Sequence, residues 1–425
     1  MIMMHARKLP QLGVALIWVG VMGFQSRLAL AESAEDGERI RLQFGHRQPA
    51  PGWILVAKTN AYAAGPGFGF EPGAALAEGD GFVTSDRPFQ FSVRLPEGNC
   101  RVKITLGDTV GESETTVKAE LRRLMLERVR TDSGKFVTRE VIVNLRNPLF
   151  EGDFTVRLKP RERETEFAAW DDKLTLEFNG VRPCLRALEI SPADVPTVFL
   201  LGDSTVCDQP REPWGSWGQM LPRFFKPEVA VANHAESGES LKSSLSARRF
   251  DKVFSLLRPG DWLFLQYGHN DMKDRATNAL ADYRQNLRKI IGRTREKGGM
   301  PVLVTSMERK DGVERDTLAG YPDAVREIAR ETGAALIDLH AMSRTVYRAL
   351  GPKLDQAFQD GTHHNNFGGY ELARCVVEGI RRQVPALAKF LASDVKPFDP
   401  EHPDEPEQFN LPASPEATLR KPDGD

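Results

Sequence analysis

The order of apolar and polar residues divides the chain into two halves of different character. In the first half, short segments alternate apolar and polar positions, as in residues 89–95 (FQFSVRL) and 102–106 (VKITL). Alternation with a period of two is typical of β-strands that bury one face. Clusters of Gly, Pro and Asp separate these segments, which favours a β-sandwich. We therefore predict an all-β sandwich domain over residues 40–190.

Near the end of this half, two strand-like segments flank a short turn signal. Residues 174–178 and 181–190 are rich in apolar residues, and Asn179-Gly180 stands between them. Asn-Gly is a preferred two-residue turn of a β-hairpin. The sequence thus predicts a hairpin at Asn179 and Gly180.

After residue 196 the pattern changes to continuous apolar runs that alternate with helical stretches, and the Pro-containing segment 191–196 is a candidate linker. Continuous apolar strands with helical crossovers indicate a parallel sheet covered on both faces, so we predict an α/β domain over residues 196–394. Residues 395–425 are rich in Pro, Asp and Glu without periodicity and are predicted to form a flexible tail. The predicted strands are 198–201, 229–232, 262–267, 302–305 and 335–339, and the predicted helices are 241–257, 278–297, 322–332 and 367–382.

The first 31 residues differ from the rest of the chain. Arg7 and Lys8 precede an apolar run over residues 12–24, and residues 29–31 (ALA) provide the small side chains of a cleavage site. These three parts are typical of a secretory signal peptide, predicted over residues 1–31. The apolar run is shorter than the ~20 residues of a membrane span, and an uncleaved anchor is the alternative. The protein is expected to be secreted or periplasmic, with no stable membrane insertion after cleavage.

Charge and cysteine content exclude some classes of partner. The formal net charge is −2, and loss of the signal segment, with its three basic and no acidic residues, makes it −5. A mildly acidic chain without a basic stripe does not suit nucleic acid, and the arginines within 121–130 are interpreted as a solvated face. Cys100, Cys184, Cys207 and Cys375 allow three disulfide pairings, of which 100–184 with 207–375 is one, or free thiols. No CxxC motif or Cys/His cluster indicates zinc, and no cofactor is predicted.

Residues that suit acyl transfer follow the ends of three predicted strands. Ser204 lies in Gly-Asp-Ser-Thr after the first strand, Gly238 follows the second, and Asn270 lies in Gly-His-Asn-Asp after the third. In a parallel α/β sheet, ligand chemistry lies at the carboxyl ends of the strands. Ser204 is the candidate nucleophile, while the Gly238 N–H and the Asn270 amide are candidate oxyanion donors. Each signal alone also fits a turn or a helix cap, and only their common placement favours catalysis.

An imidazole and a carboxylate for the same chemistry lie near the end of the α/β half. In Asp-Gly-Thr-His at 360–363, Asp360 can orient the His363 ring, which would act as the general base. His364 is a rival base. Asp360, His363 and His364 could instead bind a metal, but no further ligand cluster stands out, and no metal is predicted.

Several aromatic and imidazole side chains near these segments have no assigned chemistry. Trp214 and Trp217, beyond the nucleophile, fit either a sugar-stacking wall or buried packing against the sheet. Three further histidines are interpreted as structural or substrate-facing: His234, His269 and His340.

Together these segments resemble the conserved blocks of the SGNH (GDSL) hydrolase superfamily. The resemblance covers about residues 197–384 and implies a flavodoxin-like three-layer α/β fold with a parallel sheet. It also implies a triad of Ser204, His363 and Asp360. The oxyanion hole would consist of the backbone N–H groups of Ser204 and Gly238 with the side chain of Asn270.

Within that superfamily, the chain is similar to the rhamnogalacturonan acetylesterases, which remove acetyl groups from pectin backbone sugars. The similarity rests on Thr205, on Trp217-Gly218, and on the Asn233-x-Ala235 segment. Some proteins of this type carry an amino-terminal galactose-binding-like β-sandwich, which agrees in kind with residues 40–190. One position departs from that branch, because Glu239 stands where it usually has arginine, and this leaves the exact polysaccharide open.

The sequence therefore predicts a serine esterase that removes acetyl groups from a polysaccharide or oligosaccharide. Acetylated pectin of the rhamnogalacturonan type is the expected substrate. One alternative is another SGNH esterase, a lipase or thioesterase, which would need a long apolar acyl channel. A second alternative is a non-catalytic glycan-binding protein.

Overall fold

Five parallel strands form the sheet of the carboxyl-terminal half in the computed structural model, which describes residues 39–423. The order of these strands, numbered along the chain, is 2-1-3-4-5, as in flavodoxin-like sheets. The first strand is buried along its whole length and lies inside the sheet. The predicted α/β fold with a parallel sheet is confirmed. Across the sheet the strands are Ala230–Asn233, Thr197–Gly202, Trp262–Gln266, Met300–Val304 and Ala335–Ile337.

Helices cover both faces of this sheet, and alternate residues of the first strand point into the two cores. Val198 and Leu200 pack into one apolar core, whereas Phe199 and Leu201 pack into the other. This arrangement explains why the strand is a continuous apolar run rather than an alternating one. The helices of this half are Trp217–Met220, Leu241–Ser246, Arg249–Leu256, Ala279–Glu296, Tyr321–Thr332, Leu339–Leu350, Asn366–Gln383 and Pro385–Ala388.

Two helix predictions need correction. The single helix predicted over 241–257 is two helices, because Arg248 has a φ of +63° and breaks the helical backbone between them. The helix Leu339–Leu350 was not predicted, since the predicted strand 335–339 extends over its start. Asp338 caps this helix by accepting a hydrogen bond from the Ala341 N–H at 3.2 Å.

The amino-terminal half consists of two mainly antiparallel sheets that share one apolar core, and the predicted β-sandwich is therefore present. Phe44, Phe70 and Phe91 meet edge to face at its centre, with ring centroids 5.0–5.8 Å apart. One sheet contains Val137–Leu145, Gly98–Leu106, Cys184–Pro192, Ile40–Phe44, Ile54–Val56, Phe82–Thr84 and Ala77–Gly79. The other contains Phe68–Phe70, Phe89–Arg94, Lys173–Val181, Ser113–Ala119 and Arg123–Thr131.

Smaller elements complete the chain. Leu149–Phe150 pairs with Phe154–Thr155, and Trp214–Gly215 pairs with His364–Asn365. A short helix, Pro160–Glu164, follows the first of these ladders. Short 3₁₀ helices lie at Phe167–Ala169, Leu221–Phe224, Asp271–Lys273, Lys310–Val313, Gly351–Ala357 and Pro406–Gln408.

The predicted hairpin at Asn179-Gly180 is wrong. Lys173–Val181 and Cys184–Pro192 belong to different sheets, and the chain crosses between them at Arg182, whose φ is +52°. Gly180 lies inside its strand, where an added Cβ would be 2.3 Å from the backbone oxygen of Glu114. Glycine is needed here for close approach of two strands rather than for a turn.

The two halves lie in direct contact through strands Val137–Leu145 and Ala230–Asn233. The chain from Arg39 onward packs as one compact unit, so a division into domains at residues 190 and 196 stays a prediction. The predicted signal peptide, residues 1–31, lies outside the described residues. Within residues 39–423, no helix combines the length and apolar character that a bilayer crossing requires.

The segment after residue 394, predicted to be a flexible tail, packs against both halves over residues 395–423. Phe398 and Ser414 are buried, and the buried Lys118 ammonium donates hydrogen bonds to the Pro412 oxygen at 2.8 Å and Ser414 Oγ at 2.7 Å. The backbone of Glu212 exchanges hydrogen bonds with the backbone of this segment at residues 416 and 418. Polar composition predicts a solvated segment, but here one backbone oxygen and one hydroxyl of the segment accept hydrogen bonds from a buried cation.

Candidate active site

Ser204 lies at the carboxyl end of the first parallel strand, in a loop fixed by Asp203. One oxygen of the Asp203 carboxylate accepts hydrogen bonds from the N–H and hydroxyl of Thr205, at 3.0 and 2.7 Å. The other lies 3.1 Å from Nδ1 of His269, in the loop after the third strand. Burial opposes ionisation, but these contacts, His269 above all, lower the pKa of Asp203 below its usual value. Asp203 and His269 therefore tie the Ser204 loop to the neighbouring strand.

The structure brings Ser204, His363 and Asp360 together in one line of hydrogen bonds. Ser204 Oγ lies 2.8 Å from His363 Nε2, and His363 Nδ1 lies 2.9 Å from Asp360 Oδ2. The remaining oxygen of Asp360 accepts the backbone N–H groups of Thr362 and His363, at 2.7 and 2.6 Å. Burial would raise the pKa of Asp360, but its hydrogen bonds with His363 and Thr362 and the electrostatic effect of the adjacent imidazole hold it well below its usual range. An ionised Asp360 therefore orients the imidazole towards the serine.

Two structural features hold the His363 loop next to Ser204. The Trp214–Gly215 and His364–Asn365 ladder joins it to the segment that follows Ser204. Asn365 then caps the helix Asn366–Gln383 by accepting the Gly368 N–H at 3.0 Å. Trp214 packs edge-on against the His363 ring, with centroids 5.8 Å apart and the planes at 90°. The imidazole is thus fixed by packing as well as by hydrogen bonds.

The rival base, His364, points away from Ser204. Its Nε2 lies 2.9 Å from the Tyr347 hydroxyl, and its ring packs against Phe358 with centroids 4.0 Å apart. Burial lowers the pKa of His364 to about 3, because the imidazolium loses its hydration there. A neutral, buried ring bonded to a tyrosine is a packing element.

Gly238 and Asn270 also lie at this edge of the sheet. The Glu236 N–H donates to the Gly202 oxygen at 3.1 Å, which anchors the Gly238 loop beside the nucleophile strand. The Asn270 amide donates to the backbone oxygen of Glu239 at 3.0 Å, which joins the second and third loops. Among residues 39–423, the backbone N–H groups of Ser204 and Gly238 have no hydrogen-bond acceptor. These donors suit a substrate oxyanion.

The strand-rich half also contributes to the site, through residues that the sequence interpretation missed. Lys159 Nζ donates to the backbone oxygen of Ser237 and lies 3.2 Å from the Glu239 carboxylate. Arg161 lies 3.5 Å from the carboxylate of Glu236. Lysine and arginine beside a helix are common on surfaces, so no local pattern marks them as active-site residues.

The interpretation of residues 121–130 as a solvated face is wrong for Arg122 and Arg123, which are buried against the hydrolase half. Arg122 donates to the backbone oxygens of Gln209 and Trp214, both at 3.1 Å. Arg123 Nε lies 3.1 Å from the Asp208 carboxylate. Both arginines support the segment between Ser204 and the Trp214 ladder.

The remaining side chains singled out from the sequence are mostly structural. Trp217 is fully buried, and its indole N–H donates to Gln266 Oε1 at 2.8 Å. His234 is buried against Trp170 and Phe199, and burial lowers its pKa well below the usual value. His340 pairs with Glu308 at 3.1 Å. The four cysteines are buried free thiols, so none of the three pairings forms: Cys100, Cys184, Cys207 and Cys375.

A buried serine, imidazole and carboxylate at the carboxyl edge of a parallel sheet define a serine hydrolase of the α/β class. Residues 200–372 match the family described as GDSL-like Lipase/Acylhydrolase. The chain belongs to this family and is a carboxylic ester hydrolase.

Relatives match one half or both halves of the chain. The rhamnogalacturonan acetylesterase RhgT of Bacillus subtilis (strain 168) is 36% identical over 218 residues, covering 46% of this chain and 94% of that protein. The uncharacterized esterase YxiM of the same strain is 25% identical over 375 residues, covering 82% and 92% of the two chains. The crystal structure of Bacillus subtilis YxiM aligns with 24% identity over 81% of this chain and 98% of that one, with a TM-score of 0.44.

Proposed function

We propose that this protein is a serine esterase that removes acetyl groups from polysaccharide, with acetylated pectin of the rhamnogalacturonan type as its substrate. The observation that carries the proposal is the hydrogen-bonded line from Asp360 through His363 to Ser204. All three side chains are almost fully buried, so their geometry is held by the fold. Such a line is what a serine nucleophile needs for activation.

In this scheme Ser204 Oγ attacks the acetyl carbonyl carbon while its proton passes to His363 Nε2. The Asp360 carboxylate stabilises the imidazolium that forms. Collapse of the tetrahedral intermediate breaks the bond to the sugar oxygen, which takes the proton from His363. Water then attacks the acetyl-serine, again with His363 as base, and acetate leaves with Ser204 restored.

The negative charge on the carbonyl oxygen would be stabilised by the N–H groups of Ser204 and Gly238 and by the Asn270 amide. The two backbone donors have no acceptor within residues 39–423, so neither has to give up a hydrogen bond to that part of the chain when the oxyanion forms. Preorganised donors of this kind need no reorganisation during the reaction.

Two observations support acetyl groups on sugars over long acyl chains. The relatives include a rhamnogalacturonan acetylesterase and a probable one, YesY of Bacillus subtilis, at 32% identity over 92% of that protein. A cavity of about 70 Å³ lies next to the triad, because it is lined by Trp214, which packs against the His363 ring, together with Gln209 and residues 418 and 420–422. A cavity of this size has room for an acetyl group but not for a long acyl chain.

The direct test of the scheme is the Ser204→Ala variant. Turnover of p-nitrophenyl acetate and release of acetate from acetylated pectin should both fall to background, while the fold is retained by circular dichroism. Ser246→Ala is the matched control, since Ser246 is exposed and bonds only to the Lys242 oxygen. Undiminished activity of the Ser204 variant would rule the scheme out.

Substrate class is tested with acetylated pectins and xylans, compared with acetyl and octanoyl esters of p-nitrophenol. Acetylated rhamnogalacturonan should release acetate fastest, and the acetyl ester should be preferred to the octanoyl ester. Preference for octanoyl would favour a lipase or thioesterase. Glycan binding without any ester cleavage would favour a binding protein.

We further propose that the protein acts outside the cytoplasm, in the periplasm or after secretion. The support is the arrangement of basic, apolar and small residues over residues 1–31 and the polymeric nature of the proposed substrate. Fractionation of the producing cells, with amino-terminal sequencing of the exported protein, tests this proposal. Retention of the full chain in the cytoplasm would contradict it.

A further inference from the structure

The peptide between Ser237 and Gly238 lies in a tight turn beside the nucleophile. The Glu239 N–H donates to the Glu236 oxygen at 3.3 Å, and Gly238 has a φ of +73°, as expected for the third residue of a type II turn. The Glu236 N–H donates in turn to the oxygen of Gly202, at the end of the strand that precedes the nucleophile. The central peptide of this turn carries the proposed oxyanion donor.

The orientation of this central peptide decides where the Gly238 N–H points. In a planar trans peptide the C=O and N–H bonds point in opposite directions. Type I and type II turns differ mainly in this peptide, since ψ of the second residue differs by about 150° between them. Any contact that holds the Ser237 oxygen in place therefore also aims the Gly238 N–H.

Such a contact comes from the strand-rich half of the chain. Lys159 Nζ donates to the Ser237 oxygen and lies 3.2 Å from Glu239 Oε1, so its ammonium contacts both the central peptide and the last residue of the turn. Rotation of the peptide towards a type I turn would carry the Ser237 oxygen away from this ammonium. We propose that Lys159 is a positioning residue that holds the Gly238 N–H in its oxyanion-binding orientation. This inference rests on the proposed function.

The backbone at Lys159 is fixed by hydrogen bonds and a buried ion pair. Its backbone N–H donates to Glu162 Oε2 at 2.8 Å, and Glu162 is buried in a bidentate pair with Arg249 of the hydrolase half. The neighbouring Arg157 N–H donates to the Ala247 oxygen at 2.9 Å. The ammonium thus approaches the turn from a segment docked on both sides, which a positioning role requires.

The test is the Lys159→Met variant, assayed on p-nitrophenyl acetate and on acetylated pectin. Its kcat should fall roughly tenfold to hundredfold, less than the 10²–10³-fold typical of losing a donor outright, because the peptide can still visit the productive orientation. KM should change less than about twofold, and Lys159→Arg should recover most of kcat. Lys173→Met is the control. Lys173, in the strand-rich half, also pairs with a glutamate, Glu71, at 3.1 Å, but it lies outside the candidate active site.

A simple counterion role for Lys159 predicts a different pattern. If the ammonium only neutralised Glu239, the double variant Lys159→Met with Glu239→Gln would regain activity. Positioning predicts that this double variant stays as slow as Lys159→Met. A boronic acid, which bonds through boron to the Ser204 oxygen as a tetrahedral anion, should bind the Lys159→Met variant more weakly by the same factor as kcat falls.

Three outcomes would overturn the inference: kcat of Lys159→Met within twofold of the original protein, a rise in KM alone, or recovery in the double variant. If Lys159→Met does not fold, Lys159→Gln replaces it, because its amide nitrogen is one bond too short and should show the same loss. Esterase activity that persists in the Ser204→Ala variant would disprove the proposed function itself. Loss of activity in Ser204→Ala with full activity in the Lys159 variants would sink only the role of Lys159.

Discussion

Arg249 of the hydrolase half and Glu162 of the strand-rich half form a buried bidentate ion pair, with N–O distances of 3.0 and 2.6 Å. Less than 2% of either side chain is exposed. Burial would raise the pKa of Glu162, but Arg249, together with the Lys159 N–H and Arg146, lowers it below its usual value. The indole N–H of Trp170, in the same half as Glu162, donates to this carboxylate at 3.0 Å. Only the partner charge, Arg249, depends on contact between the two halves.

Replacement of Arg249 by methionine should destabilise the whole protein. It leaves the Glu162 charge buried without its partner, which typically costs about 3–5 kcal/mol in the free energy of unfolding. Urea denaturation should show this loss, and the further change Glu162→Gln should recover part of it. Arg288→Met, which removes an exposed pair with Glu331, is the control and should have little effect. Equal losses in the two arginine variants would contradict the prediction.

Asp360→Asn should retain the fold and lose most of the activity. The asparagine oxygen can still accept the N–H groups of Thr362 and His363, so the turn should persist. Its NH₂ group would face His363 Nδ1 and favour the tautomer that carries its proton on Nε2, where a base is needed. We expect kcat on p-nitrophenyl acetate to fall by about 10⁴.

The chain provides its own control for this change. His402 Nδ1 lies 2.9 Å from Asp399 Oδ2 at the same spacing along the chain, but both side chains are exposed. Asp399→Asn should leave kcat unchanged. A loss of less than tenfold in Asp360→Asn would show that the carboxylate has no orienting role.

Asn270→Ala tests the third oxyanion donor. We expect kcat to fall by roughly 10²–10³ with little change in KM, because the amide would bind the oxyanion more strongly than the neutral carbonyl. Steady-state kinetics on p-nitrophenyl acetate give both constants. Asn278→Ala, at an exposed asparagine bonded to Asp282, is the control. A rise in KM with kcat unchanged would assign Asn270 to substrate binding instead.

His364 should make stability depend on pH. Burial lowers its pKa to about 3 in the folded protein, against about 6.5 in the unfolded chain. Between these values only the unfolded chain binds the proton, so stability present above pH 6.5 is lost as pH falls. The slope from this group is about 1.4 kcal/mol per pH unit.

Urea denaturation of His364→Gln between pH 4 and 6 measures this contribution. The variant should be less stable at neutral pH. As the pH falls, however, its free energy of unfolding should decrease less steeply, by about 1.4 kcal/mol per pH unit, which corresponds to the loss of one titrating proton. Tyr347→Phe removes the neighbouring hydroxyl but keeps the titrating ring, so its slope should match that of the original protein. An unchanged slope in His364→Gln would show that the ring does not titrate in this range.

Local pattern was sufficient to predict the sheet that carries the site. The strand predicted over 198–201 is Thr197–Gly202, and that predicted over 262–267 is Trp262–Gln266, because continuous apolar runs are long and unambiguous. Ser204, Gly238 and Asn270 follow these strand ends, so topology alone brings them to one edge. The carboxylate three residues before His363 needs no long-range information either.

Features that depend on distant contacts could not be predicted in this way. Lys159 meets Ser237 across 78 positions of sequence, and nothing near Lys159 distinguishes it from a surface lysine. Arg122 and Arg123 are buried because acidic residues and backbone oxygens of the other half receive them. The Asn179-Gly180 turn signal was misleading. Glycine is required at residue 180 because any larger side chain would clash with the backbone oxygen of Glu114 in a neighbouring strand.

The linker between the two halves is very short, since the last strand of the first half ends at Pro192 and the first strand of the second half begins at Thr197. A shortened enzyme that started there would keep Ser204, His363 and Asp360, but Arg249 would lose Glu162 and Asp208 would lose Arg123. It would therefore expose a surface that is buried in the intact protein, with charged side chains that have lost their partners, and should express poorly. Fusion of the hydrolase half to a different domain, in evolution or in the laboratory, would first require Arg249 and Asp208 to be replaced by uncharged residues.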